Sequence, residues 1–199
     1  IVTAQDAVTT KTYTVTVTRA AAGAATLSVT SALADFGGVC INSTAGPNSF
    51  TLDGTDLDGS NINIAALHGF SYSETAGGTY TATLSFSYTA PGFTGKVIYV
   101  QFNPTIVQSY NGNIVVSGGT AAAILVPATG SGINTALTVT TGGSSAVTAT
   151  TATAAGTITV TGCSPVTAYG IEYSTQTGFI NGTGTQVPST NLTAGNFSS

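Results

Sequence analysis

The stretch TTKTYTVTVTR, from Thr9 to Arg19, decides the fold class because its polarity alternates from one residue to the next. Tyr13, Val15 and Val17 fall on one face of an extended chain, and threonines at the positions between them occupy the other face. This period of two is typical of a β-strand with one buried face. Threonine itself favours strands, because its branched Cβ restricts the side-chain rotamers.

The composition of the whole chain extends this interpretation to all 199 residues. Only 5% of the residues are charged, against roughly 25% in an average soluble domain. The polar surface must therefore consist of hydroxyls and amides. The 25 glycines are typical of a chain with many turns. We expect an all-β protein.

Residues 24–133 predict one complete β-sandwich. Short strand-forming runs recur there at roughly eight to twelve residues, separated by Gly-Gly, Pro-Gly, Asp-Gly and Asn-Gly turns, a spacing typical of antiparallel sandwiches. The predicted strands are Thr26–Val29, Phe36–Val39, Asn48–Gly54, Ile62–Ala65, Phe70–Ser73, Thr79–Tyr88, Lys96–Asn103, Gly112–Ser117 and Ala121–Pro127.

Residues 134–199 predict a second, incomplete sandwich. Its predicted strands are Leu137–Thr141, Ala146–Ala149, Gly156–Thr161, Ala168–Ser174 and Gly184–Pro188. A sandwich of this class has about seven strands. Residues 1–23 would form an orphan hairpin or strand. The predicted fold is thus all-β: tandem immunoglobulin-like antiparallel β-sandwiches, one complete and one incomplete, after an N-terminal orphan hairpin.

The charge balance narrows the classes of partner. Three Lys and Arg against seven Asp and Glu give a net charge of −4. Nucleic acids and anionic membrane surfaces, which are bound by basic residues, are therefore not expected partners.

No apolar run approaches the roughly 20 residues of a spanning helix, so no membrane insertion is expected. The chain has no Met and begins at Ile1, so we expect a processed product, a fragment or a window of a longer chain.

Two cysteines, Cys40 and Cys163, lie far apart in the sequence. Two are too few for a disulfide scaffold or a cysteine-ligated metal site. We expect each to be a small buried apolar residue, with a single bridge as the alternative.

Residues suited to catalysis are sparse. His68 is the chain's single histidine, and no Gly-x-Ser-x-Gly motif surrounds a nucleophile. Glycosidase chemistry needs two carboxylates across one cleft, whereas Glu74 and Glu172 fall in different predicted modules. The sequence predicts that the protein is not an enzyme.

One acidic run, from Asp53 through Asp56 to Asp58, has two interpretations. Closely spaced carboxylates beside glycine can bind Ca²⁺ through oxygen ligands. An Asp-Gly pair is also a common hairpin turn, and the bidentate glutamate of an EF-hand is missing. We favour a plain turn, and calcium, the one cofactor considered, remains the alternative.

Three parts of the chain resemble known bacterial repeat families. Residues 2–6, followed by 11–19, resemble the closing hairpin of bacterial cadherin-like β-sandwich repeats. The middle region is similar to immunoglobulin-like domains of the ASH/Hydin class, on the basis of Phe36-Gly-Gly-Val39, Val100-Gln-Phe-Asn-Pro104 and Tyr110-Asn-Gly-Asn113. Such domains occur in tandem on large secreted surface proteins, especially in Bacteroidetes.

The last module, around residues 149–162 and 166–174, resembles the first half of a fibronectin-III-like repeat of the same kind of protein. The resemblance implies stalk, spacer or adhesive roles at the cell surface, and these families carry no catalytic residues. The chain departs from the pattern at both ends, because the cadherin-like repeat lacks its body and the fibronectin-like repeat lacks its final strands.

Two classes of function follow. The first is an extracellular structural module, either a stalk or a filament subunit in which Tyr13, Val15 and Val17 of a donated strand complete the sandwich of a neighbour. Its partners would be other copies of the chain or neighbouring repeats. The alternative is an adhesin or carbohydrate-binding module, which would recognise glycans or a host protein through the loops Asn103–Asn111 and Gln176–Gly184.

Overall fold

The computed structural model describes residues 2–5, 10–13 and 23–199, the first two segments as backbone only. Among these residues the regular structure is entirely β. No helix in the described ranges is long and apolar enough to span a bilayer. The strands are β1 (Val2–Gln5), β2 (Thr10–Tyr13), β3 (Thr26–Ser31), β4 (Gly38–Cys40), β5 (Ala45–Thr55), β6 (Ile62–Ile64), β7 (Phe70–Ser73), β8 (Leu84–Phe86), β9 (Phe93–Phe102), β10 (Gln108–Ser109), β11 (Gly112–Gly118), β12 (Ala121–Ala128), β13 (Ser131–Ile133), β14 (Thr138–Ser145), β15 (Thr153–Val160), β16 (Gly170–Tyr173), β17 (Thr185–Pro188) and β18 (Asn196–Ser198).

The middle of the chain forms a two-sheet sandwich. One sheet has the strand order β3-β5-β9-β7 and the other β12-β11-β6-β8, with antiparallel pairs throughout. If β3, β5, β6, β7, β9, β11 and β12 are lettered A to G, the orders are ABED and GFC. These are the sheets of a constant-type immunoglobulin domain, here with β8 added beside strand C.

Buried and less buried residues alternate along the central strands, and the buried ones form the core of this sandwich. In β5, Phe50 and Leu52 are fully buried, and in β9 so are Ile98, Val100 and Phe102. The residues between them are less buried. Apolar residues of β6, β11 and β12 cover this face from the opposite sheet. Period-two patterning therefore places one face of each sheet inside.

Tyr110 closes one end of the core. Its ring meets that of Phe102 edge-on, with the centroids 5.2 Å apart. Its hydroxyl accepts hydrogen bonds from the backbone N–H groups of Thr105 (2.9 Å) and Ile106 (3.1 Å). A tyrosine just before strand F that bonds backbone a few residues upstream is the tyrosine corner of immunoglobulin-like sandwiches. Gly69, with φ +86°, makes room for the ring, because a Cβ there would lie 2.5 Å from its Cδ1.

A small third sheet, β10-β13-β4, lies beside the sandwich. Its β13–β4 pair is parallel and places Ile133 opposite Cys40. The sequence did not predict β10 or β13, because strands of two or three residues are too short to show alternation.

Residues 134–199 form two smaller sheets, β14-β15-β18 and β16-β17. Lettered as before, they are A-B-E in one layer and C-C′ in the other. In an immunoglobulin-type sandwich, strand F pairs with C on the side away from C′. Within the described part of the chain, no strand takes that place beside β16.

The C-terminal half of the described chain buries far fewer large apolar side chains than the middle sandwich does. In residues 134–199 the large buried apolar side chains are those of Ile158 and Phe197. Every residue of β14 is exposed. The exposed large apolar residues of this half are Leu137, Val139, Val147, Val160, Tyr173, Phe179, Ile180, Val187 and Leu192.

Two strand predictions were wrong. The predicted strand Ala146–Ala149 lies in the connection between β14 and β15. Ala146 has φ +48°, and the Thr148 hydroxyl accepts a hydrogen bond from the N–H of Thr151 at 2.9 Å, so the chain turns there. The predicted strand Thr79–Tyr88 is reduced to the three residues of β8.

Candidate functional site

A disulfide between Cys40 and Cys163 joins the middle sandwich to the C-terminal sheets. The expectation that each cysteine is a small buried apolar residue is therefore wrong. Their Cα atoms lie 5.4 Å apart across 123 positions of sequence. The signal in the sequence was the even number of cysteines in a chain expected to be extracellular, where disulfides persist.

Backbone contacts hold both cysteines at the junction. Cys40 ends β4 opposite Ile133 of β13. Cys163 follows β15, and its N–H donates to the carbonyl of Thr135 at 2.9 Å. The N–H of Thr135 in turn donates to Cys163 Sγ at 3.3 Å. The bridge thus fastens the segment that connects the two halves.

A cleft lined by both apolar and polar side chains opens between the two C-terminal sheets. Its volume is about 310 Å³, and its walls include Val139, Ile171, Phe179 and Phe197. Phe197 packs over Gly156, where a Cβ would lie 2.5 Å from its Cζ. Because β16 is paired with β17 alone among the described strands, the cleft adjoins an open sheet edge. An open edge presents N–H and C=O groups to which another strand can pair.

Glu172 is the single charged residue of positions 134–199, and it lines this cleft. Its carboxylate accepts hydrogen bonds from the N–H groups of Gly182 (2.9 Å) and Gly184 (2.5 Å). These bonds anchor the loop after β16 and leave a negative charge at the cleft wall.

The predicted strand-donation residues lie at the other end of the chain. The backbone of Tyr13 pairs with Val2 in the β1–β2 hairpin. Val15 and Val17 lie outside the described residues. The donation interface therefore stays a prediction.

The three predicted calcium ligands have separate surroundings. Asp53 accepts a hydrogen bond from the N–H of Gly95 at 2.7 Å. Asp56 has φ +54° in a turn. Asp58 accepts hydrogen bonds from the N–H of Ser60 at 2.9 Å and from its hydroxyl at 2.6 Å.

These bonds fit the turn interpretation. The Ser60 hydroxyl and then its N–H lower the pKa of Asp58 below the usual carboxyl value. Over the ranges that the structure describes, no three His, Cys, Asp or Glu side chains gather into a group able to hold a metal ion. Calcium remains an alternative that melting with and without a chelator would test.

The residues considered for catalysis are dispersed. The ring of His68 stacks on Tyr110 with the centroids 5.1 Å apart. Glu74 forms an ion pair with Lys96 at 2.6 Å on the surface of the middle sandwich. Glu172 lies in the C-terminal half. Each side chain thus has a local structural partner.

Comparison with protein-family models finds no match for this chain, and comparison with curated protein sequences finds none.

Proposed function

We propose that the chain is a non-enzymatic extracellular structural module of a bacterial cell-surface or secreted protein. It acts as a stalk or spacer, or as the subunit of a filament that assembles by β-strand donation. The observation that carries this proposal is the contrast between a middle sandwich with both sheets fully formed and C-terminal sheets with an open edge at β16 and a cleft lined in part by apolar side chains. The resemblance to tandem surface repeats supports the bacterial and extracellular setting.

A strand supplied from a neighbouring repeat or from another copy would complete the C-terminal sheets. It would take the position of strand F beside β16 and lay alternate side chains into the cleft. Burial of Tyr13, Val15 and Val17 there would contribute about 5–8 kcal/mol. Each backbone hydrogen bond would add roughly 0.5–1.5 kcal/mol.

The charges of the two partners are complementary. Lys11 and Arg19, which flank the alternating stretch, are two of the chain's three basic residues. The cleft wall carries the carboxylate of Glu172. A contact between one end of a molecule and the other end of the next is head-to-tail, so it propagates into a filament unless it closes into a ring.

A pair of double variants tests strand donation. We expect Val15→Asp with Val17→Asp to abolish self-association, because charge on the apolar face cannot enter the cleft. The matched control, Thr14→Asp with Thr16→Asp, adds the same charge to the other face of the strand. This variant should retain most of the self-association. Sedimentation velocity and electron microscopy would measure both, and removal of residues 1–19 should reproduce the first result. Assembly that survives that removal would refute donation by this segment.

A second candidate function is adhesion, and the loop Gln176–Gly184 favours it. Phe179 is 36% exposed and Ile180 is 75% exposed there, so two neighbouring apolar side chains of the loop are open to a partner. A glycan array would test this function. If the loop is the binding site, Ile180→Asp should abolish any signal, whereas Val147→Asp, outside the loop, should leave it unchanged.

A further inference from the structure

We propose that the protein carries tension along its chain and that the Cys40–Cys163 disulfide diverts this tension around the core of the middle sandwich. Tension is the load that a stalk or filament experiences, so this inference rests on the proposed structural function. It assigns the bridge a role within that function.

The covalent path decides which residues feel a pulling force. A force applied at the N-terminal side runs along the backbone to Cys40, crosses the sulfur–sulfur bond to Cys163, and continues towards residue 199. Residues 41–162 form a closed loop beside this path. Because the two Cα atoms stay 5.4 Å apart while the bridge holds, the loop cannot be extended by the force.

The closed loop holds nearly the whole core. It contains every strand from β5 to β15, and thus both main sheets of the middle sandwich except β3. All of the large buried apolar residues lie in it apart from Leu27 and Phe197. Most of the hydrophobic interior of the middle module is therefore protected from unfolding by tension.

The segments outside the loop can yield, and Leu27 and Phe36 would then leave the core, while the rest of the core stays inside the loop. β3 lies at the edge of its sheet and pairs with β5 alone among the described strands. β16, β17 and β18 belong to the C-terminal sheets, which bury few apolar side chains. Tension in the bridged protein would release these short segments and then stop at the disulfide.

The bridge lies where a reductant can reach it, since both cysteines are half-buried. A dithiol reductant would open it by thiol–disulfide exchange. The bridge then becomes two cysteine thiols, and the reductant becomes a disulfide. Reduction would thus increase the length of chain that tension can extend.

Single-molecule force spectroscopy of the full chain, held at its two ends, tests this inference. The sequence separation of 123 between the cysteines corresponds to about 410–440 Å of extended chain at about 3.3–3.6 Å per residue. We expect the unfolding of the reduced protein to add this length to its end-to-end distance. The oxidised protein should unfold without this addition. The variant with Cys40→Ser and Cys163→Ser should show the full length with or without reductant.

Thiol titration of the same samples provides the second measurement. We expect no free thiols in the oxidised protein and two in the reduced protein. Equal unfolded lengths in both states, or free thiols before reduction, would overturn the inference. Neither outcome bears on strand donation, whose test is self-association.

Discussion

Ile171 of β16 pairs with Val187 of β17, and on its other side no described strand is present. The corresponding residue of the middle sandwich has two neighbours, since Ile64 of β6 pairs with Val116 on one side and Leu84 on the other. The same chain therefore shows strand C once in the interior of a sheet and once at an open edge. We attribute the exposure of Val139, which lines the same cleft as Ile171, to this difference.

The cleft beside β16 should be sensitive to charge. We predict that Val139→Asp reduces strand acceptance at least tenfold, because a carboxylate would replace an apolar side chain of the cleft wall. Val139 is 60% exposed in the described chain, so its folding stability should change little. The control is Val147→Asp, which changes a valine that is 68% exposed outside the cleft. Sedimentation velocity would measure association, and equal effects of the two variants would refute the role of the cleft.

The disulfide should contribute strongly to stability. Closing a loop across 123 positions restricts the unfolded chain, and we expect Cys163→Ser to lower the free energy of unfolding by about 2–5 kcal/mol. Because either substitution breaks the same bond, adding Cys40→Ser should cost little more. Urea unfolding of wild type, with and without reductant, would check both statements. Wild-type stability that does not respond to reductant would contradict them.

The hydroxyl of Tyr110 should stabilise the middle sandwich. Tyr110→Phe keeps the packing against Phe102 but leaves the N–H groups of Thr105 and Ile106 without their acceptor. We expect a loss of about 0.5–1.5 kcal/mol in the free energy of unfolding. Tyr173→Phe removes the hydroxyl of a tyrosine that is 55% exposed, and should cost less than 0.5 kcal/mol. Equal losses would show that the corner bonds contribute nothing.

The stability of the middle sandwich should fall at alkaline pH. Burial raises the pKa of Tyr72 to about 12 from its ordinary value of 10.0. The folded state thus favours the protonated phenol, and its contribution is complete below pH 10 and is lost as the pH rises towards 12. Tyr72→Phe should lose less stability between pH 10 and pH 12 than the wild type does. Tyr173→Phe, the control, should lose more stability over this range than Tyr72→Phe does. Identical pH profiles for Tyr72→Phe and wild type would contradict the assignment.

The sequence predicted the all-β fold wherever strands bury one face. The bounds of β7 were predicted as observed, and β3, β5, β9, β11 and β12 differ from their predictions by a few residues at the ends. In β5 and β7, apolar residues stand at every second position, and these positions are buried. The prediction failed where alternation is weak, as in β13, or where a positive φ turns the chain, as at Ala146.

Local patterns in the sequence predicted only part of the candidate site. The open C-terminal sandwich followed from the small number of strand-like runs, but the cysteine bridge did not. Its two residues meet because β4 pairs in parallel with β13 and because Cys163 bonds to the backbone of Thr135. Both contacts join segments distant in sequence, and local patterns do not specify such contacts. The last strand, β18, was also missed, because Phe197 is its single apolar residue and no alternation is visible.

The central claim is that a strand from another copy or from a neighbouring repeat completes the C-terminal sheets. The most direct measurement is hydrogen exchange of the backbone amides of Gly170–Tyr173 in the native protein isolated from its source. Pairing with β17 uses one edge of β16, so the amides that point to the other edge report on the added strand. We predict that all four amides exchange slowly, as in a strand paired on both sides. If the amides of the open edge exchange as fast as those of an unfolded chain under every condition, the claim is wrong.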